Sequence, residues 1–96
     1  LGIQIRTIII FYGHVHGIGF RDAVVARSKN FSVAGTVRNI YNENALEIDI
    51  EGSPAVVDSF IQDIVHHQPH GSRIERIEQR RAKPLGRSDF RRLPTS

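Results

Sequence analysis

Among its 96 residues the chain has no cysteine, no methionine and no tryptophan. The lack of thiols excludes disulfide bonds, thiolate nucleophiles and cysteine metal sites, and it fits a cytoplasmic protein. With Leu1 at the first position and no methionine anywhere, the natural start is expected to be missing or processed. Long apolar runs are absent as well. The longest, Thr7 to Tyr12, falls far short of the ~20 residues that cross a bilayer, and no signal-peptide pattern precedes it, so no membrane partner is expected. No internal repeat or linker stands out. With 40% apolar and 24% charged residues, the composition is globular and not disordered, and residues 1–96 are expected to form a single domain with one core.

What is present is unevenly distributed. The formal net charge is +3, and eight of the thirteen Lys and Arg residues fall between Arg73 and Arg92, against Glu75, Glu78 and Asp89. This stretch reads as a solvated, arginine-rich strand and terminus; a basic face for RNA is the alternative. RNA-recognition modules of similar strand order stack bases on sheet aromatics. This chain offers Tyr12, Tyr41 and five phenylalanines, without the characteristic aromatic octamer on its third strand, so nucleic acid is not the expected partner.

The chemistry concentrates in Gly13-His14-Val15-His16-Gly17-Ile18-Gly19-Phe20-Arg21. Three glycines lie between an apolar run, Ile8 to Phe11, and a segment of helical pattern that starts near Phe20. Such a loop lets its backbone approach a ligand closely. The helix N-terminus that follows supplies unpaired N–H groups and partial positive charge, and Arg21 in its first turn adds a guanidinium fork. The natural guest is a phosphate. Gly-Lys-Ser/Thr is missing, so the loop is no P-loop, and Asp22 stands where a dinucleotide fingerprint needs its third glycine.

Along the chain, Ile3, Ile5, Thr7, Ile9 and Phe11 predict one face of a strand, and Ile8 and Ile10 make it central. A helix is expected from Phe20 to about Asn30, with Asn30 as a left-handed stop. Val33 to Ile40 predicts a second strand, Tyr41 to Asn44 a turn, and Leu46, Ile48 and Ile50 alternating with Glu47, Asp49 and Glu51 a half-buried third strand. Ser53 and Pro54 open a second helix with the buried stripe Val57, Phe60, Ile61, Ile64 and Val65, which ends before Pro69 and Gly71. Ile74 and Ile77, three apart, predict a bulged fourth strand. Arg80 to Arg87 reads as a basic loop, and Phe90 to Leu93 as a short last strand. The order βαββαβ is the α+β ferredoxin-like split βαβ arrangement: a four-to-five-stranded antiparallel sheet with both helices on one face.

His66 and His70 are four apart, but Pro69 and Gly71 break the helix between them and zinc asks for three or four ligands. Solvent-exposed histidines, and no metal, are expected there.

The segment Gly13 to Arg21 closely resembles the acylphosphatase signature G-x-V-Q-G-V-x-F-R. Gly35-Thr36-Val37-Arg38-Asn39 resembles the same family's G-x-V-x-N strand, and Glu51-Gly52-Ser53-Pro54 its lead into the second helix. The likeness covers roughly residues 5 to 78. It implies a cofactor-free, metal-free hydrolase that cleaves the carboxyl–phosphate bond of a small acyl phosphate. By position, Arg21 and backbone N–H groups of Val15, His16, Gly17, Ile18, Gly19 and Phe20 would form the phosphate-binding loop, and Asn39 would orient the attacking water. Acyl phosphates have a good leaving group, so positioning and charge stabilisation matter more than a strong base. An asparagine amide both accepts and donates hydrogen bonds without acting as a base.

Two departures stand out, His16 for glutamine and Thr36 for the tryptophan often found there. If His16 lies near the bound phosphate, its protonation adds a pH dependence; the loss of tryptophan bears on packing. A cytoplasmic monomer is expected. The N-terminal domain of hydrogenase-maturation carbamoyltransferases, acting on carbamoyl phosphate, also resembles this family. There a proline commonly follows the motif arginine, and here Asp22 does.

Overall fold

Apolar alternation in the two central strands sets the frame. The computed structural model describes residues 2–95, in the order β1 (Ile5–His14), α1 (Phe20–Ser28), β2 (Ala34–Ile40), β3 (Ala45–Gly52), α2 (Pro54–His66), β4 (Arg73–Ala82) and β5 (Phe90–Arg92). The five strands form one sheet in the order β4-β1-β3-β2-β5. Register pairs Ile9 with Ile48 and Ile48 with Val37, so the period-2 apolar residues of β1, β3 and β2 share one face. Both helices cover that face: Phe20 and Val24 of α1 and Val57, Phe60 and Ile64 of α2 join Ile9, Phe11, Val37, Leu46, Ile48 and Ile50 in the core. This is the expected ferredoxin-like α+β fold. Its neighbouring strands are antiparallel except the last pair, where β5 runs parallel to β2. Phe60 is the hub that holds β5 in place, with Phe31 at 5.3 Å and Phe90 edge-on at 5.6 Å.

Several local expectations hold. β1 is central, Asn44 of the β2–β3 turn has a positive φ of 44°, and the register of β1 on β4 shifts between Tyr12 and Gly13, opposite Arg76 and Ile74. α2 begins on Ser53 and Pro54, although Ser53 makes no side-chain capping bond.

Other expectations are corrected. Ile3 precedes β1 and is exposed. The first helix ends at Ser28, and its cap, Lys29, stays right-handed, so Asn30 is no left-handed stop. β4 continues to Ala82, which shortens the basic loop to residues 83–89. The third strand is buried on both faces, because its acids are covered as well. Arg6 forks onto Asp49 at 2.8 and 2.7 Å, and Arg87 bridges Asp49 (2.7 Å) and Glu51. Glu51 also accepts the Gly86 N–H at 2.8 Å and the Leu85 N–H at 3.2 Å. The loop before β5 is thereby strapped across the face opposite the helices. Arg87, expected in a solvated stretch, is largely buried.

Gly35 shows why β2 carries a glycine at its second position. Its φ is 153°, and an added Cβ would lie 1.8 Å from the Asp49 carbonyl oxygen, so the close approach of β2 to β3 tolerates no side chain there.

Candidate active site

β1, β2 and β5 are mutually parallel, so their C-terminal ends meet at one end of the sheet. The loop from Val15 to Gly19 leaves β1 at this end. Val15 is buried, Ile18 packs on the core, and Phe20 sits 6.0 Å from Phe11. These side chains anchor the loop inward. Gly19 occupies the cap of α1 in the left-handed region, φ 75° and ψ 22°, where a β-carbon is strained and no side chain competes for the amides. The first helical bond runs from the Ala23 N–H to the Gly19 carbonyl at 3.0 Å. Phe20, Arg21 and Asp22 therefore keep N–H groups without an intrahelical acceptor, at the positive end of the helix.

Val15, Gly17, Gly19, Phe20, Arg21 and Asn39 line one cavity of about 240 Å³, joined by Asp22 and Arg92. That volume is below the ~300–1,000 Å³ of drug-sized ligand sites and suits a small anion. A larger cleft of about 640 Å³ between α2 and β4 is lined by Pro54 and Ala55 at the start of α2 and by Thr7, Val57, Ile61 and Arg81 among others, but neither the glycine loop nor Arg21 nor Asn39 lines it. Asn39, on the helix-covered face one residue before the end of β2, is 8% exposed, and its Oδ1 finds no hydrogen-bond partner among the described residues. A buried, unpaired amide oxygen costs about 1–3 kcal/mol in a folded protein. Held at the wall of an anion-sized cavity, it is a ready acceptor for a ligand or a water.

Arg21 is fixed from the far end of the chain. Its Nη1 donates to the Leu93 carbonyl at 3.0 Å, while the Leu93 N–H donates to the Val37 carbonyl at 2.8 Å and extends β5 along β2. Arg92 pairs through Nη1 with Asp22 Oδ1 at 2.8 Å at the cavity, both side chains being about half exposed or more. A pair so exposed contributes about 0–1 kcal/mol.

Arg21, Asn39 and the loop residues Val15, Gly17, Gly19 and Phe20 are thus brought together. His16 and Ile18 do not line the cavity. The His16 imidazole turns away, its Nε2 lying 2.6 Å from the Ala45 carbonyl, where it donates and ties the loop to the start of β3. The condition under which His16 would add a pH dependence, an imidazole near the phosphate, is therefore not the arrangement of this side chain, which is tied to β3. Thr36 pairs in register with Asp49 and Arg91, on the sheet face away from the cavity. No cluster of three or more metal-ligating side chains occurs among the described residues, and no helix is long and apolar enough to cross a membrane. Asp22, Arg92 and Leu93 were not singled out from sequence as site residues. For Arg92 and Leu93 the sequence signal is a short apolar–basic run that can pair as a last strand, and for Asp22 it is its place directly after Arg21 in the first turn of α1.

A sequence model of the acylphosphatase family matches residues 7–92. An acylphosphatase of Synechococcus sp. is 36% identical over 92 residues, 96% of each chain. In solved structures, Bacillus subtilis acylphosphatase superposes with a TM-score of 0.84 at 27% identity, covering 93% of this chain and 98% of that one. Full-length HypF in its phosphate- and nucleotide-bound form superposes with a TM-score of 0.90 at 26% identity over 99% of this chain, which spans 12% of the HypF chain.

Proposed function

The chain belongs to the acylphosphatase family, and on that premise we propose how its residues share the hydrolysis of a small acyl phosphate. Such a hydrolase releases a carboxylate and inorganic phosphate. Arg21 and the backbone N–H groups of residues 15 to 20 bind the phosphoryl oxygens. Asn39 holds the attacking water through Oδ1. The water oxygen bonds to phosphorus as the bond to the acyl oxygen breaks; the acyl group leaves as a carboxylate, and the water's protons end on the phosphate. No general base is required, because the leaving group is weakly basic and the charge developing on the phosphoryl oxygens is met by preorganised donors.

The observation that carries this reading is the unpartnered, buried Asn39 Oδ1 at the wall of the cavity that Arg21 and the start of α1 also line. We take residues 1–96 as one acylphosphatase-like domain, working as a cytoplasmic monomer without metal or cofactor; the absence of cysteine fits that setting. The experiment is hydrolysis of benzoyl phosphate without added metal by the parent chain, Arg21→Ala and Asn39→Ala. Turnover in the parent, lost in both folded variants, supports the roles; a folded but inert parent overturns them.

The superposition on HypF favours a second reading, the same site serving as a domain of a longer protein acting on carbamoyl phosphate. Asp22 after the motif arginine weighs against it. A kcat/KM far higher for carbamoyl than for benzoyl phosphate decides for it.

A further inference from the structure

The cavity has a second cation that the proposed hydrolysis leaves unused. Arg92 faces the helix side of the sheet, since it is paired in register with Val37, and it lines the same walls as Arg21 and Asn39. What holds it is a carboxylate of the chain itself: Asp22 Oδ1, 2.8 Å from Nη1. Asp22 is well solvated, with 68% of its side chain exposed, and Arg92 is 47% exposed. An ion pair of this kind exchanges readily for another carboxylate of suitable reach, because water already competes for both partners.

We propose that Arg92 is a specificity-determining residue that selects acyl phosphates whose acyl part carries a second anionic group, a carboxylate, and that Asp22 keeps its place in the empty site. The proposal rests on the hydrolase reading above, because it assumes that Arg21 and the loop amides take the phosphoryl end. With that end fixed, the acyl part extends toward the cavity mouth, where its carboxylate displaces Asp22 from Arg92. A guanidinium recognises a planar carboxylate through paired N–H donors, and a neutral acyl chain offers it nothing. The displaced Asp22 stays favourable in the first turn of α1, where its charge meets the positive end of the helix.

The test compares two four-carbon substrates, succinyl phosphate and butanoyl phosphate, in the parent chain, Arg92→Gln, Asp22→Asn and the double variant. Arg92→Gln is expected to lower kcat/KM for succinyl phosphate roughly tenfold more than for butanoyl phosphate, the value of one charged hydrogen bond. Asp22→Asn should raise the succinyl preference, and the double variant should match Arg92→Gln alone. An equal loss on both substrates, or on neither, overturns the proposal. Binding of the non-hydrolysable succinyl- and butanoylphosphonates, followed by calorimetry, gives the same ratio without turnover. A chain that hydrolyses neither substrate but prefers succinylphosphonate through Arg92 sinks the hydrolase reading and keeps this one. A chain showing no such preference sinks this one.

Discussion

Arg21 Nη1 donates to the carbonyl of Leu93 at 3.0 Å, joining the first turn of α1 to the residue just after β5, 72 positions later. The guanidinium is thus held by a backbone acceptor that is itself fixed, through the Leu93 N–H, to Val37 of β2. Pro94 supports the arrangement by restricting Leu93 to extended backbone.

Breaking this chain of bonds tests it. Leu93→Pro keeps the carbonyl but removes the N–H that reaches Val37. Stability is expected to fall by about 1 kcal/mol. Because the phosphate ligand is loosened, kcat/KM for benzoyl phosphate should fall roughly tenfold. Urea unfolding and steady-state kinetics read the two effects separately. A loss of stability with unchanged kinetics would show that Arg21 does not need this support.

Asn39 makes the opposite prediction, lost function without lost stability. Its Oδ1 has no partner among the described residues, so Asn39→Ala removes an unpaired buried acceptor. The desolvation relieved offsets the lost packing, and the change in unfolding free energy should stay within about 1 kcal/mol. Hydrolysis should fall by about a hundredfold or more if the amide orients the water. Clear destabilisation with retained turnover would make Asn39 a structural residue only.

Local patterns made much of this legible. Leu46, Ile48 and Ile50, the stripe on α2 and the three-residue spacing of Ile74 and Ile77 each report a geometry set within a few residues. The loop and Arg21 were readable for the same reason, since glycines and a helix start lie side by side in the chain. Partners distant in sequence were not readable. Arg6 and Arg87 reach Asp49 across 43 and 38 positions and turn an apparently solvated face of β3 into a buried one. The parallel docking of β5, which carries Arg92 and Leu93 to the cavity, depends on Phe90 finding Phe60. The direction of the His16 side chain was equally hidden, because its acceptor is the Ala45 carbonyl.

From that contact follows a prediction about pH. The His16 imidazole donates outside the cavity, so it has no direct hold on a bound phosphate. His16→Gln, which keeps a side-chain N–H for Ala45, should leave the shape of the rate–pH profile between about pH 5 and 8 unchanged. His16→Ala releases the loop and should raise KM. A profile that flattens in His16→Gln would return the imidazole to the site.

The strap over the open face sets the acid limit of the fold. Burial works to raise the Asp49 carboxyl, but hydrogen bonds from Arg6 and Arg87 outweigh it and hold the group below its ordinary 3.8. Glu51 behaves alike: burial opposes, Arg87 and the Gly86 N–H prevail, and the carboxyl sits below 4.5. Groups depressed on folding stabilise fully above their unfolded values, and that stabilisation is lost as pH falls through the folded ones. Unfolding free energy should therefore decline below about pH 4.5 and keep falling under 3.8. Arg87→Met leaves both carboxylates buried with fewer partners and should cost about 3 kcal/mol at neutral pH. It should also flatten the acid decline, since the carboxyls return toward their ordinary values or above. Because Arg87 lies three residues before Phe90, the same variant should loosen β5 and with it the Leu93 carbonyl that holds Arg21. Denaturation between pH 3 and 7, run beside benzoyl phosphate kinetics, measures both. Unchanged stability at neutral pH would mean that the strap merely covers the sheet and does not hold it.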